Sequence, residues 1–337
     1  MYRVNIGDDT NFSNLLKIND VEYVDAIIDN NKATFISNTK EVFAILSLDS
    51  VAVDEDTALS IRIPRGILIS LLCKGYILIG ATEELVSLQF FEIQETGETE
   101  LSCSVKFPRQ DIWTGSYLDK LEMLTKIETK DNFDLKEIQD IIKIGSSVKS
   151  VIDCNCNLAS ISLNSTCKII KKLSIPADFS MSAYTLNTLL KVSNIVFNYR
   201  NYIGAVKDNL TVLCTKCRGS SNETLKLLEE EKASFIANID LYYLQRFLSK
   251  IKINCPTVKV NLESRSSELE SGSKKFSVPV VVKDLQKSPL CEECSFVIDK
   301  NLLELMNKII HNNLLHIANK KTFVQLDMND ITIIFRS

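Results

Sequence analysis

The feature that most constrains this sequence is a pattern that returns six times. Segments with apolar residues at three- and four-residue spacing, each ending near a lysine, occur at 11–18, 66–74, 135–143, 183–191, 241–250 and 301–308. That spacing gives a helix one buried stripe and one solvated face. The closing lysines, Lys17, Lys74, Lys143, Lys191, Lys250 and Lys308, fall 57, 69, 48, 59 and 58 residues apart. Between the helical segments the sequence reads as β, with strand pairs at 32–37 and 41–46, 76–81 and 85–92, 202–206 and 211–215, and 323–327 and 331–335. Asn30-Asn31, Asp208-Asn209 and Asn329-Asp330 are residue types suited to tight turns.

The repeating unit is therefore strand, helix, three strands, about 56 residues long. Two units make a domain, so the expected fold is α+β with three similar domains, at 1–122, 123–229 and 230–337. Boundaries fall within Leu118 to Leu124 and within the charged stretch Glu223 to Lys232.

Composition removes several functional classes. Ten glycines and six prolines are few, and neither Gly-x-x-x-x-Gly-Lys-Ser/Thr nor Gly-x-Gly-x-x-Gly occurs, so a glycine-rich phosphate loop is not expected. The two histidines, His311 and His316, supply no familiar catalytic constellation. Met1 to Asp9 lacks the basic-then-apolar pattern of a signal peptide. The most apolar stretch, Gly66 to Ala81, is interrupted by Lys74 and is too short for a bilayer. The expectation is a cytoplasmic protein without membrane contact, whose ten cysteines stay reduced. Cys214-Thr215-Lys216-Cys217 and Cys291-Glu292-Glu293-Cys294 resemble zinc half-sites, but 73 residues separate them, and positions three apart on a strand point to opposite faces. No metal and no cofactor are expected.

Charge is distributed unevenly. The six helical windows carry a net +7, leaving −11 on the rest of a chain whose total is −4. Lysines gathered on one surface gain affinity for duplex DNA by releasing counterions from phosphates. Backbone contacts of that kind carry no sequence information. The structural alternative is that these lysines only extend from the ends of solvated helices.

Several stretches resemble the bacterial β-type DNA sliding clamp, the processivity subunit of the replicative polymerase. Asn30 to Ile45 resembles the family's first hairpin, Ile61-Arg62-Ile63-Pro64-Arg65-Gly66 its entry to the second helix, and Ser104 to Trp113 its domain-closing strand. Ala183 to Lys191 and Tyr202 to Arg218 carry the likeness in the second domain, and element order carries it in the third. The resemblance implies a DNA-clamp fold and a head-to-tail homodimeric ring around double-stranded DNA. It implies a non-enzymatic tether for a DNA polymerase, placed by a clamp loader and nucleoid-associated. The DNA-facing residues would be Lys17, Arg65, Lys74, Lys136, Lys143, Lys191, Arg246, Lys250, Lys252 and Lys308. A partner-peptide cleft would use Ile169, Ile170, Leu225, Leu227, Leu228, Ile331, Ile333 and Phe335.

The sequence departs from the family at three places. Ser162-Leu163-Asn164-Ser165-Thr166-Cys167-Lys168 stands where the family has Gly-His-Arg-Leu. Leu225 to Glu231 replaces the proline-led entry to the third domain, and Ile331 to Ser337 lacks the methionine-proline ending. Such divergence fits a clamp carried by a phage or mobile element. Two further readings stay open: a clamp-fold regulator that does not encircle DNA alone, and an enzyme with an unrecognised α+β fold.

Overall fold

The structure is a computed structural model. It describes residues 1–7, 10–29, 31–54, 58–71, 74–94, 96–112, 117, 120, 124, 132–165, 167–218, 233–240, 246, 257–261, 266–271, 274–279, 281–287, 293–297, 314–320, 323–328 and 330–336.

The first 108 residues run β1 (Tyr2–Gly7), α1 (Thr10–Ile18), β2 (Tyr23–Ile28), β3 (Lys32–Asn38), β4 (Val42–Ala52), β5 (Leu59–Pro64), α2 (Arg65–Leu71), β6 (Gly75–Ala81), β7 (Leu85–Ile93) and β8 (Thr99–Pro108). The order then recurs as β9 (Asn132–Asp134), a 3-10 turn (Leu135–Ile138), α3 (Gln139–Val148), β10 (Val151–Asn155), β11 (Leu158–Ser162) and β12 (Cys167–Lys172). It continues through β13 (Phe179–Ser182), α4 (Ala183–Val192), β14 (Ile195–Tyr199), β15 (Tyr202–Lys207) and β16 (Leu210–Thr215). The last strands are β17 (Ala233–Asp240), β18 (Thr257–Asn261), β19 (Ser266–Ser271), β20 (Lys274–Pro279) and β21 (Val281–Lys287). They are followed by β22 (Glu293–Val297), β23 (Leu314–Lys320), β24 (Phe323–Met328) and β25 (Ile331–Arg336). The fifth and sixth expected helices lie outside the described residues, save Arg246.

Strand pairing repeats with element order. In the first third, β1 pairs β6, β2 pairs both β3 and β5, and β6, β7 and β8 pair in succession. β9 with β14, β10 with β11 and β13, and β14 to β16 reproduce that scheme. So do β17 with β23, β18 with β19 and β22, and β23 to β25. One detail is specific enough to argue common construction. β4 pairs β3 through Asp49 and then turns its last residues, Ser50 to Ala52, to β1. In the last third two strands divide this task, β20 pairing β19 and β21 pairing β17.

The chain forms two compact units, 1–135 with 188–216, and 136–187 with 217–337. The expected boundaries near 122 and 229 fall outside the described residues, and the expected second domain contributes to both units. In the first unit, twelve strands form one sheet. α1 lies on β4 and β16 and touches α2. The T-shaped pair Phe12–Phe35, 4.9 Å between centroids, fixes α1 to the sheet. In the second unit a nine-stranded sheet and a four-stranded sheet are described. There Gly145 on α3 is required, because a Cβ would stand 2.3 Å from Ile161 and 2.6 Å from Ala183.

Among the described helices, α1 and α4 end within a residue of where the sequence places them, α3 runs on to Val148 beyond Lys143, and α2 differs at its end. α2 stops at Leu71, so Lys74 stands just before β6 rather than on the helix. β6 begins at Gly75, whose φ of +152° and a Cβ position 2.0 Å from Phe91 O admit no side chain.

Candidate nucleic-acid face and partner pocket

Helices α1, α3 and α4 each bury an apolar stripe and leave a lysine exposed. On α1, Asn11, Phe12, Leu15, Leu16 and Ile18 are buried while Lys17 is exposed. On α3, Ile141, Ile142, Ile144 and Gly145 are buried and Lys143 is exposed. Lys191, Lys136, Lys74 and Arg246 are exposed as well. Arg65 differs: its Nε donates to Leu16 O at 2.7 Å and its Nη1 to Asp20 at 3.0 Å, so the guanidinium caps the last turn of α1. Lys250, Lys252 and Lys308 lie outside the described residues.

Each unit holds a junction between two distant strands, and the two junctions are built alike. β16 pairs antiparallel with β4, from Leu210 opposite Leu46 to Cys214 opposite Val42. β25 pairs antiparallel with β12, from Ile331 opposite Lys171 to Phe335 opposite Cys167. Leu210 and Ile331 each follow a two-residue turn, so the two junctions share one register. Strand alternation then makes Phe43 equivalent to Lys168, Ile45 to Ile170, and Leu213 to Ile334.

At the first junction the face away from α1 is apolar and covered. Ile36, Phe43, Ile45, Phe197 and Leu213 cluster with Tyr117, and Leu124 packs against them. The Tyr117 ring stacks on Phe43 with centroids 6.0 Å apart, and Lys120 Nζ sits 4.6 Å above the same ring. Burial pulls the Lys120 ammonium below the usual lysine range. Gly204, opposite Phe197, leaves room for that ring to lie across the neighbouring strand. One polar cluster anchors the covering segment. The Tyr117 hydroxyl donates to Asp25 Oδ2, while Arg62, opposite Asp25 on β5, donates from Nε to Oδ1 at 2.8 Å. Asp25 is almost fully buried, and its hydrogen bond and charge hold the Arg62 guanidinium above its ordinary pKa. A further cavity of about 420 Å³ opens beside this cluster, between Ile27, Lys32, Ile45, Leu124 and Asn209.

At the second junction the same face carries half-buried Lys168 beside buried Ile170 and Ile334 and borders a cavity. Ser162, Asn164, Ser165, Cys167, Lys168, Ile334 and Arg336 line a cavity of about 280 Å³. Burial lowers the Lys168 pKa, Asp153 opposes that shift, and Arg336 adds to it. Asp153 occupies the position of Asp25, but faces Ser180 where Asp25 faces Arg62. Five residues of the expected cleft, Ile169, Ile170, Ile331, Ile333 and Phe335, stand on these two strands, and all are buried. Ile169 and Ile333 pair on the face toward Ile161 and Gly145, while Ile170 points the other way. Leu225, Leu227 and Leu228 lie outside the described residues.

Sequence reasoning did not single out Lys168 and Arg336 as a pair, nor Asp25 with Arg62 and Tyr117. The signal for the first pair was present: even positions of 167–172 and of 331–336 share one strand face. The second depends on contacts 37 and 92 residues apart, which no local pattern announces. The zinc half-sites are not brought together among the described residues, where no group of His, Cys, Asp or Glu suited to a metal ion occurs. Cys214 is buried, Cys217 is exposed, and Cys291 lies outside the described residues.

Strand order and pairing that recur through the described residues are those of the DNA-clamp fold. Solved bacterial DNA polymerase III beta subunits share it over the whole chain. One, described as a DNA polymerase III beta subunit from Eubacterium rectale, matches 100% of this chain and 99% of its own length with a TM-score of 0.68 at 12% identity. The subunit from Pseudomonas aeruginosa covers the same shares with a TM-score of 0.66 at 10% identity. A Helicobacter pylori beta clamp, solved bound to a DNA ligase peptide, likewise covers 100% and 99% with a TM-score of 0.65 at 12% identity. No family model and no curated protein matches the sequence. Among the described residues, no helix is long and apolar enough to cross a membrane.

Proposed function

We propose that this chain is a DNA sliding clamp, a non-catalytic ring that encircles duplex DNA and tethers a DNA polymerase. The observation that carries the reading is the repeated junction. Two internal pairings, β16 on β4 and β25 on β12, share register and leave one equivalent pair of strands over. Among the described residues β8 pairs only with β7, and β20 only with β19. β8 is largely exposed, with Leu101 at 50%, and an open apolar strand edge is a liability unless another strand covers it. Placing β8 of one copy on β20 of the next adds a third junction of the same kind. Repeated head to tail between two copies, it closes a ring of three domains per chain.

In such a ring the helices face the DNA. Lys17, Lys74, Lys136, Lys143, Lys191 and Arg246 then meet phosphates without reading bases, with Lys250, Lys252 and Lys308 completing the set. Arg65 contributes chiefly by holding α1. Processivity comes from topology and effective concentration rather than from any reacting group. A clamp loader opens the ring, and partner proteins insert a peptide at the β12–β25 junction; the H. pylori clamp has been solved bound to a DNA ligase peptide. The protein would work in the cytoplasm, on the nucleoid.

The test is retention on circular DNA. A dimer that stays on nicked circles, slides off once the circle is cut, and is lost when Lys17, Lys143 and Lys250 are together changed to glutamate is expected. A monomer indifferent to DNA topology would overturn the ring and favour a clamp-fold regulator.

A further inference from the structure

We propose that the β14–β15 turn and the sheet face beside it, in the first unit, form a platform for single-stranded DNA. Tyr199 and Tyr202 stack unpaired bases there, and Lys40, Lys120 and Arg200 neutralise the phosphates. The choice of DNA rests on the clamp reading, but the chemistry is read from the face itself.

Tyr199 and Tyr202 stand directly opposite each other across the two-residue turn Arg200-Asn201. Cross-strand neighbours of this kind have Cβ atoms about 5 Å apart. Both tyrosines are half-buried at the margin of the cluster of Phe43, Phe197 and Leu213, which fixes them and leaves part of each in solvent. The Arg200 guanidinium sits over the Tyr199 ring, 5.3 Å from its centroid. Lys120 sits likewise 4.6 Å above Phe43, three strands along the sheet on β4. At ordinary strand spacing the two cations bracket about 14 Å of sheet.

Among the described residues, Lys40, Lys120 and Arg200 form no ion pair. Lys120 Nζ donates to the neutral Asn38 Oδ1 at 3.2 Å, and burial lowers its pKa with no acid opposing the shift. The nearby acids are engaged elsewhere. Asp25 is buried and held by Arg62. Glu41 acts on the other face, where burial and then Glu41 raise the pKa of Cys214 on the helix side of β16. Asp134 stands at the far end of β14, opposite Ile195.

The repeat does not ask for cations here, because the equivalent turn between β6 and β7 exposes Glu83 and Glu84. Arg200 also holds φ at +48°, a left-handed conformation usually left to Gly, Asn or Asp, as at Asp208 in the following turn. Stacking on tyrosine accepts any base, and cations beside the rings follow the backbone. A guanidinium adds a flat surface of its own and a fork of donors for phosphate. In a duplex the base faces are covered by their neighbours, so the match is to a single strand.

The experiment uses full-length protein and a fluorescein-labelled oligothymidylate, followed by anisotropy at low salt, with the same strand carrying iodouracil for photocrosslinking. Crosslinks are expected on Tyr199 or Tyr202. Tyr202→Ala should weaken binding roughly fivefold or more, while Tyr202→Phe stays within about twofold, since stacking needs the ring and not the hydroxyl. Arg200→Gln should weaken binding about threefold and flatten its salt dependence. Crosslinks confined to the helices, or unchanged binding by both Tyr202→Ala and Arg200→Gln, would overturn the inference. So would an oligoglutamate peptide that competes as well as unlabelled oligothymidylate, which would assign the face to acidic peptides. Should Tyr202→Ala unfold, the crosslink position on the unaltered protein and the exposed Arg200→Gln decide. Retention on circular DNA without crosslinks at the tyrosines sinks the platform and spares the clamp. Crosslinks there without retention do the reverse.

Discussion

The two strand junctions share one backbone plan and differ chiefly at one position of one face, where Phe43 of the first is Lys168 in the second. On β4 and β16 that face is Phe43, Ile45 and Leu213, roofed by the chain's own Tyr117 and Leu124. On β12 and β25 it is Lys168, Ile170 and Ile334, bordered by Arg336 and open to a cavity. The helix-side faces remain alike, with Leu46, Val212 and Cys214 buried at one junction and Ile169, Ile333 and Phe335 at the other. Register and helix packing are thus set by the repeat, and the far face is free to vary. One junction is roofed by the chain's own aromatic ring, and the other carries a half-buried lysine at the edge of a cavity.

The largest test of that contrast is truncation of Phe43. Its ring is 2% exposed and stacked under Tyr117, so Phe43→Ala should cost about 3–4 kcal/mol in urea unfolding. Lys168→Ala, at the equivalent position, should cost less than about 1 kcal/mol, as expected for a side chain that is only half-buried. Equal losses would mean that both junctions are sealed alike.

Next comes the anchor of the roof. Asp25→Ala leaves the Arg62 guanidinium and the Tyr117 hydroxyl without their shared acceptor, in a pair whose acid side chain is 7% exposed but whose arginine is 41% exposed. Breaking a fully buried pair costs more than this site can, so the expected loss is about 2–3 kcal/mol. Asp153→Ala, its counterpart beside the open cavity, should fall below about 1 kcal/mol. A smaller change isolates the roof alone. Tyr117→Phe keeps the stacking on Phe43 and removes one hydrogen bond to Asp25, for an expected loss of about 1 kcal/mol and greater amide exchange along β2.

How much of this was legible in the sequence follows from the range of each interaction. Helices α1 and α4 and the hairpins at 202–215 and 323–335 could be read because their signals lie within a dozen residues. Lys74 was read as the end of α2, since it continues the pattern, but it stands in a bend just before Gly75 begins β6. Apolar strands such as 167–172 and 331–336 announce burial but not which face stays open, because both faces of a strand within a sheet are packed to some degree. The Asp25–Arg62–Tyr117 anchor joins three distant segments and has no local signature. The face of Lys168 and Arg336 needed the register between two strands far apart in the chain.

The finest test converts the open junction toward the sealed one. Lys168→Leu replaces a desolvated ammonium with a side chain resembling that of the sealed seam, so a gain of about 0.5–1 kcal/mol is expected at neutral pH. The pH dependence distinguishes this cause from simple packing. Burial holds the folded-state pKa of Lys168 below the ordinary lysine value of 10.5. At neutral pH both folded and unfolded chains carry the proton, and the folded state bears the full desolvation penalty. As pH rises through the lowered folded value toward 10.5, the folded state sheds its proton first and the penalty fades. The advantage of Lys168→Leu over the unaltered protein should therefore shrink between neutral and strongly alkaline pH, measured as the difference in urea midpoint. A constant difference would assign the gain to packing, and a neutral-pH loss would show that the ammonium is already compensated in the open cavity.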